Sequence, residues 1–205
     1  MQALSTLFGS QVRVKVMRLF LFNPHETFDV ETLALRSRAT EKEVKNEVVA
    51  LAKSGLIKAK TYTKEFEQKK GSKLVLHKKK TRGFQLNTSF IYLPQLQSLL
   101  INTKFLHHED LVHKLSTAGR IKLLIAAGVF TQDLESRVDL LIVGDNLKKN
   151  KLDKTVRAME AEIGKELTYA AFDTADFQYR LGMYDKLLRD ILEFPHEKVV
   201  NKLGL

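Results

Sequence analysis

Residues 40–82 carry the sequence TEKEVKNEVVALAKSGLIKAKTYTKEFEQKKGSKLVLHKKKTR. Thr40 and Glu43 have the spacing of a capping box, in which each side chain accepts the backbone N–H of the other residue. Apolar residues then recur at helical spacing, so that one face of a short helix is apolar: Val44, Val48, Leu51 and Ala52. Gly55 is the expected end of this helix.

The rest of this stretch reads as a basic β-hairpin. Residues 57–63 alternate as in a strand, and residues 73–77 and 83–87 can supply the returning strands. Between Lys58 and Arg82 there are ten basic residues against two acidic ones. A helix followed by a cationic hairpin is the order in which a winged helix-turn-helix meets DNA, with the helix in the major groove and the wing on phosphates.

The excess positive charge of the chain lies in its first part. Residues 1–92 contain 18 lysines and arginines against 8 acidic residues, whereas residues 93–205 contain 16 of each. Such an asymmetric field favours a polyanion, and binding that neutralises phosphates depends strongly on salt. The alternative is a solvated lysine-rich hairpin without a partner. Because a helix with a polar face adjoins the hairpin, we expect double-stranded DNA as the partner.

The segments before residue 40 fit the same pattern. A first helix ends near Asn23-Pro24, residues 28–30 are extended, and a second helix runs from Glu31 to Ser37. The segment Leu51-Ala-Lys-Ser-Gly-Leu-Ile57 resembles the helix exit of ArsR- and MarR-like regulators. The resemblance covers residues 1–92 and implies a winged helix-turn-helix DNA-binding domain.

The residues expected to touch DNA lie on the helix and on the hairpin. Lys42, Lys45 and Asn46 are outside the apolar face of the helix, where they would meet bases or nearby phosphates. In the hairpin, the expected phosphate contacts are Lys69, Lys70, Lys73, Lys78, Lys79, Lys80 and Arg82. Three glutamates of the same helix oppose this interpretation, because acids repel phosphates. Among them, Glu43 is explained by the capping box.

A leucine-rich helical connector is expected at residues 93–116. In regulators of this kind such a helix often carries the dimer interface, which makes a homodimer the expected assembly. Packing between two domains is the alternative use of the same apolar residues.

Residues 117–205 alternate between strand and helix patterns. A strand leading into a turn is expected at 120–130, strands at 138–143 and 167–172, a helix at 147–164, and one or two helices at 176–195. The chain is therefore predicted to be α+β with two domains, the second an α/β domain on a small mixed sheet.

The second half resembles the minimal nucleotidyltransferase fold. Gly128-Val-Phe and Ser136-Arg-Val-Asp-Leu140 are similar to the family's glycine-serine turn and its first catalytic strand. Leu167-Thr-Tyr, followed by Thr174-Ala-Asp-Phe177 and Arg180, is similar to the later strand and helix.

The carboxylates that nucleotidyl transfer requires are incomplete. The chemistry uses two carboxylates two residues apart on one strand to hold Mg²⁺ against a nucleoside triphosphate. Arg137 stands at the first of these positions, so only Asp139 remains, and the position of the third carboxylate falls near Thr168. The turn serine is replaced by Val129. The resemblance thus implies an inactive domain without metal or cofactor, in which Gly128 and Asp139 mark a vestigial nucleotide site.

The function that we expect is that of a DNA-binding transcriptional regulator. Its second domain would serve dimerisation, sensing of a small-molecule effector, or binding of a protein partner. One alternative is an active Mg²⁺-dependent nucleotidyltransferase, with Asp139 joined by Asp133, Glu135 or Asp145. Another is an antitoxin-like or adaptor protein that binds a partner through its second half. With no cysteine, no signal-peptide pattern and no apolar run near the roughly 18 residues of a membrane span, the expected location is cytoplasmic.

Overall fold

The expectation of an α+β chain is confirmed by the computed structural model. It contains an antiparallel two-stranded sheet and a four-stranded mixed sheet, together with helices that come before and between the strands in chain order. No helix in the described part of the chain is long and apolar enough to cross a membrane. The structure describes residues 2–70, 73–101, 108–133 and 136–205.

The chain divides into two compact units. The first consists of Met1–Ile101 with Ala161–Lys165, and the second of Asn102–Glu160 with Glu166–Leu205. The division therefore falls nine residues after the expected boundary at residue 92. Leu100 is buried in the core of the first unit, so the first part of the expected connector belongs to that unit.

The first unit is helical up to a long hairpin. Ser10, Asp29 and Thr40 precede three of the helices, and each side chain accepts a backbone N–H three residues further on. These caps explain why the helices begin where they do. In chain order the elements are α1 Gln2–Phe8, α2 Gln11–Phe22, α3 Val30–Ser37, α4 Glu41–Lys53, β1 Ile57–Lys70, β2 Lys73–Leu86 and α5 Leu93–Leu100.

Helix α4 begins and ends as its sequence predicts. The N–H of Glu43 donates to Thr40 Oγ1 at 3.3 Å, and the N–H of Thr40 donates to Glu43 Oε2 at 2.9 Å. At the other end Gly55 has a φ of +85°, in the left-handed region that glycine adopts without strain. This turn lets the N–H of Leu56 donate to the carbonyl of Leu51 at 3.1 Å.

The hairpin is longer and more regular than its sequence suggests. The two strands pair without interruption from Ile57 opposite Leu86 to Lys70 opposite Lys73, so the return strand is one element and not two. Fourteen residues at about 3.3 Å each make each strand roughly 46 Å long. At the base, Ile57 and Leu86 are buried, and Phe28 adds a two-hydrogen-bond bridge to Phe84.

The second unit is built on a sheet with the strand order β5-β4-β3-β6. Strand β3 is antiparallel to both of its neighbours, and β4 is parallel to β5. A 3₁₀ turn, Gly128–Phe130, lies between β3 and β4. The elements are α6 His108–Ser116, β3 Arg120–Ala126, β4 Leu140–Asp145, α7 Lys149–Ile163, β5 Tyr169–Asp173, α8 Thr174–Gly182, α9 Lys186–Glu193 and β6 Glu197–Asn201.

Strand β4 lies inside the sheet and its apolar residues are buried without alternation, as expected of a strand covered on both faces. Phe177 of α8 and Leu188 and Ile191 of α9 share a core with the odd-numbered residues of β3 and β4. Helix α7 has an apolar face, since Leu152, Val156, Met159 and Ile163 are all buried.

Candidate nucleic-acid interface

Helix α4 has two chemically different faces. Val44, Val48 and Leu51 are buried in the core of the first unit. Residues on the opposite side follow one another at spacings of three and four, which places them along one stripe of the helix. This exposed stripe consists of Lys42, Lys45, Asn46, Val49 and Lys53. The three helix residues expected to face DNA therefore lie together on the solvent side.

The three glutamates that oppose this interpretation are each held by other groups of the protein. Glu47 is buried, and Arg13 Nε donates to its Oε2 at 2.7 Å. Glu43 closes the capping box, whose hydrogen bonds lower the pKa of its carboxyl. Glu41 is exposed and pairs with Lys45 at 3.3 Å, a contact worth only a few tenths of a kcal/mol at an exposed helix surface. The acids of α4 therefore leave the exposed stripe basic.

The register of the hairpin distributes its cations over two faces. Residues directly opposite one another in an antiparallel pair share a face. Lys78, Lys80 and Arg82 accordingly lie on one face, and Lys79 lies on the other. Lys78 donates to Glu65 across the strands at 2.7 Å, which raises its pKa. The other three are exposed, and no carboxylate of the described residues pairs with them. The side chains of the remaining expected contacts lie outside the described residues: Lys69, Lys70 and Lys73.

A buried carboxylate joins the hairpin to α3. Asp29 Oδ1 accepts the N–H of Thr32 at 2.8 Å, and its Oδ2 accepts from Lys64 Nζ at 2.7 Å and from the hydroxyl of Tyr62 at 3.2 Å. Burial alone would raise the pKa of Asp29, but the hydrogen bonds from Lys64 and Thr32 outweigh it and hold this pKa at about 2. Glu31 also accepts from Lys64 at 2.8 Å, and the two acids together raise the pKa of the lysine.

This junction fixes where the hairpin leaves the first unit. Beyond Lys64, strand β1 continues for six residues, or about 20 Å. The contacts of its next described side chains run across the strands: Phe66 stacks on His77 with ring centroids 5.8 Å apart, and Glu65 pairs with Lys78. We infer from these contacts that the outer half of the hairpin projects as a ribbon, which is a geometry suited to a partner's surface.

Several residues of this interface escape sequence reasoning. Lys58 and Lys60 are exposed on the same hairpin face as Lys79. Their two-residue spacing within the alternating segment 57–63 indicates that both lysines lie on one face of the strand. Lys64, by contrast, is neutralised by acids more than thirty positions away, which no local pattern shows. Val49 is exposed in the middle of the basic stripe, although its residue type suggests burial.

In the second unit, the surviving aspartate of the nucleotidyltransferase-like pattern is a structural residue. Asp139 is buried, its Oδ1 accepts the N–H of Val129 at 2.8 Å, and its Oδ2 accepts the N–H of Thr168 at 2.9 Å. Gly128 has a φ of +55°, and a β-carbon there would collide with Asp139 Oδ1. The two residues of the expected vestigial site are thus in contact, and they tie a turn and two strands together.

Of the other acids proposed for a metal site, Asp145 lies away from Asp139. Asp139 directly precedes β4, and Asp145 ends this strand six residues later, which corresponds to about 20 Å of extended chain. It accepts hydrogen bonds from Thr174 and Lys122, which lower its pKa. Arg137 pairs with Asp190 at 2.6 Å. Among the described residues there is no group of three or more histidine or acidic side chains placed to hold a metal ion, and Glu135 lies outside them.

A cavity of about 380 Å³ opens beside the edge strand β5. Its wall combines apolar groups with one cation and one anion: Leu147, Lys149, Leu152, Tyr169, Ala171, Phe172 and Asp173. The hydroxyl of Tyr169 donates to Asp153 at 2.5 Å, and burial together with this carboxylate raises the pKa of Tyr169 to about 12. Sensing of a small-molecule effector is one of the three uses suggested for this domain by the sequence, and the cavity is of a size that admits a small molecule.

Comparison with protein-family models, with curated proteins and with solved structures returned no match. The chemistry of the two units therefore has to be judged from their geometry. In the first unit the lysines of the α4 stripe and the cations Lys79, Lys80 and Arg82 of the hairpin are exposed. In the second unit Asp139 accepts one backbone N–H with each of its two carboxylate oxygens.

Proposed function

We propose that this protein is a cytoplasmic DNA-binding regulator whose first unit is a winged helix-turn-helix. In this proposal α4 enters the major groove and the hairpin β1–β2 contacts the phosphates. The observation that carries the proposal is the chemistry of α4: its exposed stripe keeps three lysines and an asparagine, while Glu47 is held by Arg13 and Glu43 by the capping box, and only Glu41 pairs with a lysine of the stripe. The bridge between Phe28 and Phe84 supports it further, because it adds the short third strand of a winged helix.

For the second unit, we propose a nucleotidyltransferase-like fold that does not transfer nucleotides. The antiparallel β3–β4 pair, the turn at Gly128 and the parallel β4–β5 pair support the fold. Asp139 supports the loss of catalysis, since each of its oxygens already accepts a backbone N–H. Incubation with nucleoside triphosphates and Mg²⁺ should release no pyrophosphate above the buffer rate. Sustained turnover would overturn this part of the proposal.

The salt dependence of DNA binding tests the role of the hairpin. Each phosphate contact contributes about 0.9 to the slope of log K against log salt concentration for duplex DNA. Replacing Lys79, Lys80 and Arg82 by alanine should therefore lower the magnitude of the slope by about two units if DNA meets only the face of Lys80 and Arg82, or by about three if it meets both faces, and weaken binding to all sequences alike. The measurement is fluorescence anisotropy with a random-sequence duplex over a series of salt concentrations.

A matched control removes the same charges from the second unit. Lys151, Lys154 and Arg157 are exposed on α7, and their triple alanine variant loses two lysines and one arginine as well. Its salt slope should equal that of the wild type. If both variants change the slope equally, the effect comes from net charge, and the hairpin is not the phosphate-binding element. If the wild type does not bind duplex DNA even at low salt, the proposed function is wrong.

A further inference from the structure

One side chain in the exposed stripe of α4 has no role in phosphate binding. Val49 is 67% exposed, three residues after Asn46 and four after Lys45, so it shares their direction on the helix. Valine is a weak helix former, and its side chain gains nothing from water. A single exposed apolar residue is common on protein surfaces. Val49, however, lies inside the basic stripe of the proposed recognition helix, so the group that it would meet there belongs to DNA.

The major groove of DNA offers one apolar group at the edges of the bases, which is the C5-methyl group of thymine. An asparagine in the same groove pairs with adenine through N6 and N7. Three residues along a helix correspond to about 4.5 Å, close to the 3.4 Å spacing of stacked base pairs. Asn46 and Val49 can therefore reach neighbouring base pairs from one docking position.

We propose that Val49 packs against the methyl group of a thymine next to an adenine bound by Asn46. The inference rests on the proposed DNA-binding function and adds to it a preferred ligand class, which is duplex DNA with adjacent A·T pairs in the major groove facing α4. The lysines of the stripe supply affinity without sequence preference. Asn46 and Val49 supply the choice of sequence.

The test removes the methyl group and nothing else. A preferred duplex is first selected from a random pool with the full-length wild-type chain, and each thymine in it is then replaced in turn by deoxyuridine. At one position the replacement should weaken binding about fourfold, the effect of losing one buried methyl group. The variant Val49→Ala should bind the parent duplex about as weakly, and should no longer distinguish thymine from uracil at that position.

Two further variants separate recognition from folding. Val49→Thr keeps one methyl group and should retain part of the discrimination, whereas Lys53→Ala, on the same stripe, should leave the discrimination unchanged. Because residue 49 is exposed and alanine favours helices, Val49→Ala should fold normally by circular dichroism. This inference would be overturned if the wild type binds DNA but no replacement of thymine by deoxyuridine weakens binding. It would also be overturned if the replacement weakens binding of Val49→Ala as much as binding of the wild type. Either result would leave the DNA-binding proposal intact. Failure to bind any duplex would instead overturn the proposed function itself.

Discussion

Asp29 is the residue through which the orientation of the hairpin can best be perturbed. Its side chain is 9% exposed, caps α3 and accepts from Lys64. The pKa of Asp29 falls from 3.8 to about 2 on folding, and a shift of that size corresponds to roughly 2 kcal/mol of stability at neutral pH. Asp29→Asn keeps an oxygen for the cap but turns a donor towards Lys64, so it should lose about 2 kcal/mol. Asp29→Ala also loses the cap and should cost about 3 kcal/mol.

The effect of Asp29→Asn has a definite dependence on pH. A carboxyl whose folded pKa is depressed contributes stability that is complete above its unfolded pKa and is lost as the pH falls through its folded pKa. The difference between wild type and Asp29→Asn should therefore be full at pH 7, about half as large at pH 3, and nearly absent at pH 2. The difference in the free energy of unfolding is measured by urea unfolding, and pulsed hydrogen exchange identifies the transition of the first unit.

A second acid on the same lysine provides the control. Glu31 also accepts from Lys64 at 2.8 Å, but its side chain is 77% exposed. An exposed pair contributes little, so Glu31→Gln should cost less than about 0.5 kcal/mol. Equal costs for Asp29→Asn and Glu31→Gln would refute the reasoning, because burial would then not distinguish the two carboxylates. A cost for Asp29→Asn that does not change between pH 7 and pH 3 would refute it as well.

Three further substitutions test other parts of the structure. Gly128→Ala should destabilise the second unit by about 3 kcal/mol in urea unfolding, because the new methyl group meets Asp139 at a positive φ; an unchanged midpoint would contradict this contact. Glu47→Gln should lower stability by about 1 kcal/mol by weakening the bond from Arg13, and a large gain in DNA affinity would show that the glutamate faces DNA instead. Tyr169 has a pKa raised to about 12, so its contribution is complete below pH 10 and is lost as the pH approaches 12; Tyr169→Phe should flatten the alkaline loss of stability, and an unaltered pH profile would contradict it.

Local signals predicted the elements of the first unit well. The spacing of Thr40, Glu43 and Gly55 identified α4 and both of its ends, and these are set by hydrogen bonds between residues three to five positions apart. The second helix was expected from Glu31 to Ser37, and α3 begins one residue earlier, at Val30, after the cap of Asp29. The short strand at Phe28 was also expected, because a partner within the hairpin completes it.

The missed features depend on contacts between distant parts of the chain. The pairing of Asp29 with Lys64 joins residues 35 positions apart, and the grouping of Ala161–Lys165 with the first unit crosses most of the chain. Strand β6 was not expected, because Glu197–Asn201 is short and polar and forms only by adding to the edge of β3. The phosphate contacts, the homodimer and the cytoplasmic location stay predictions.

The acids of α4 show that the net charge of a helix sequence does not give the charge of its exposed side. Glu41–Lys53 has three acidic and three basic residues, so the helix is neutral as a sequence. Folding separates them, because Glu47 turns inward to Arg13 and Glu43 folds back onto the N-terminus. What remains on the solvent side is a stripe with three lysines, partly offset by the exposed carboxylates of Glu41 and Glu43. The basic character of this stripe therefore depends on the contacts that hold the acids as much as on the lysines themselves.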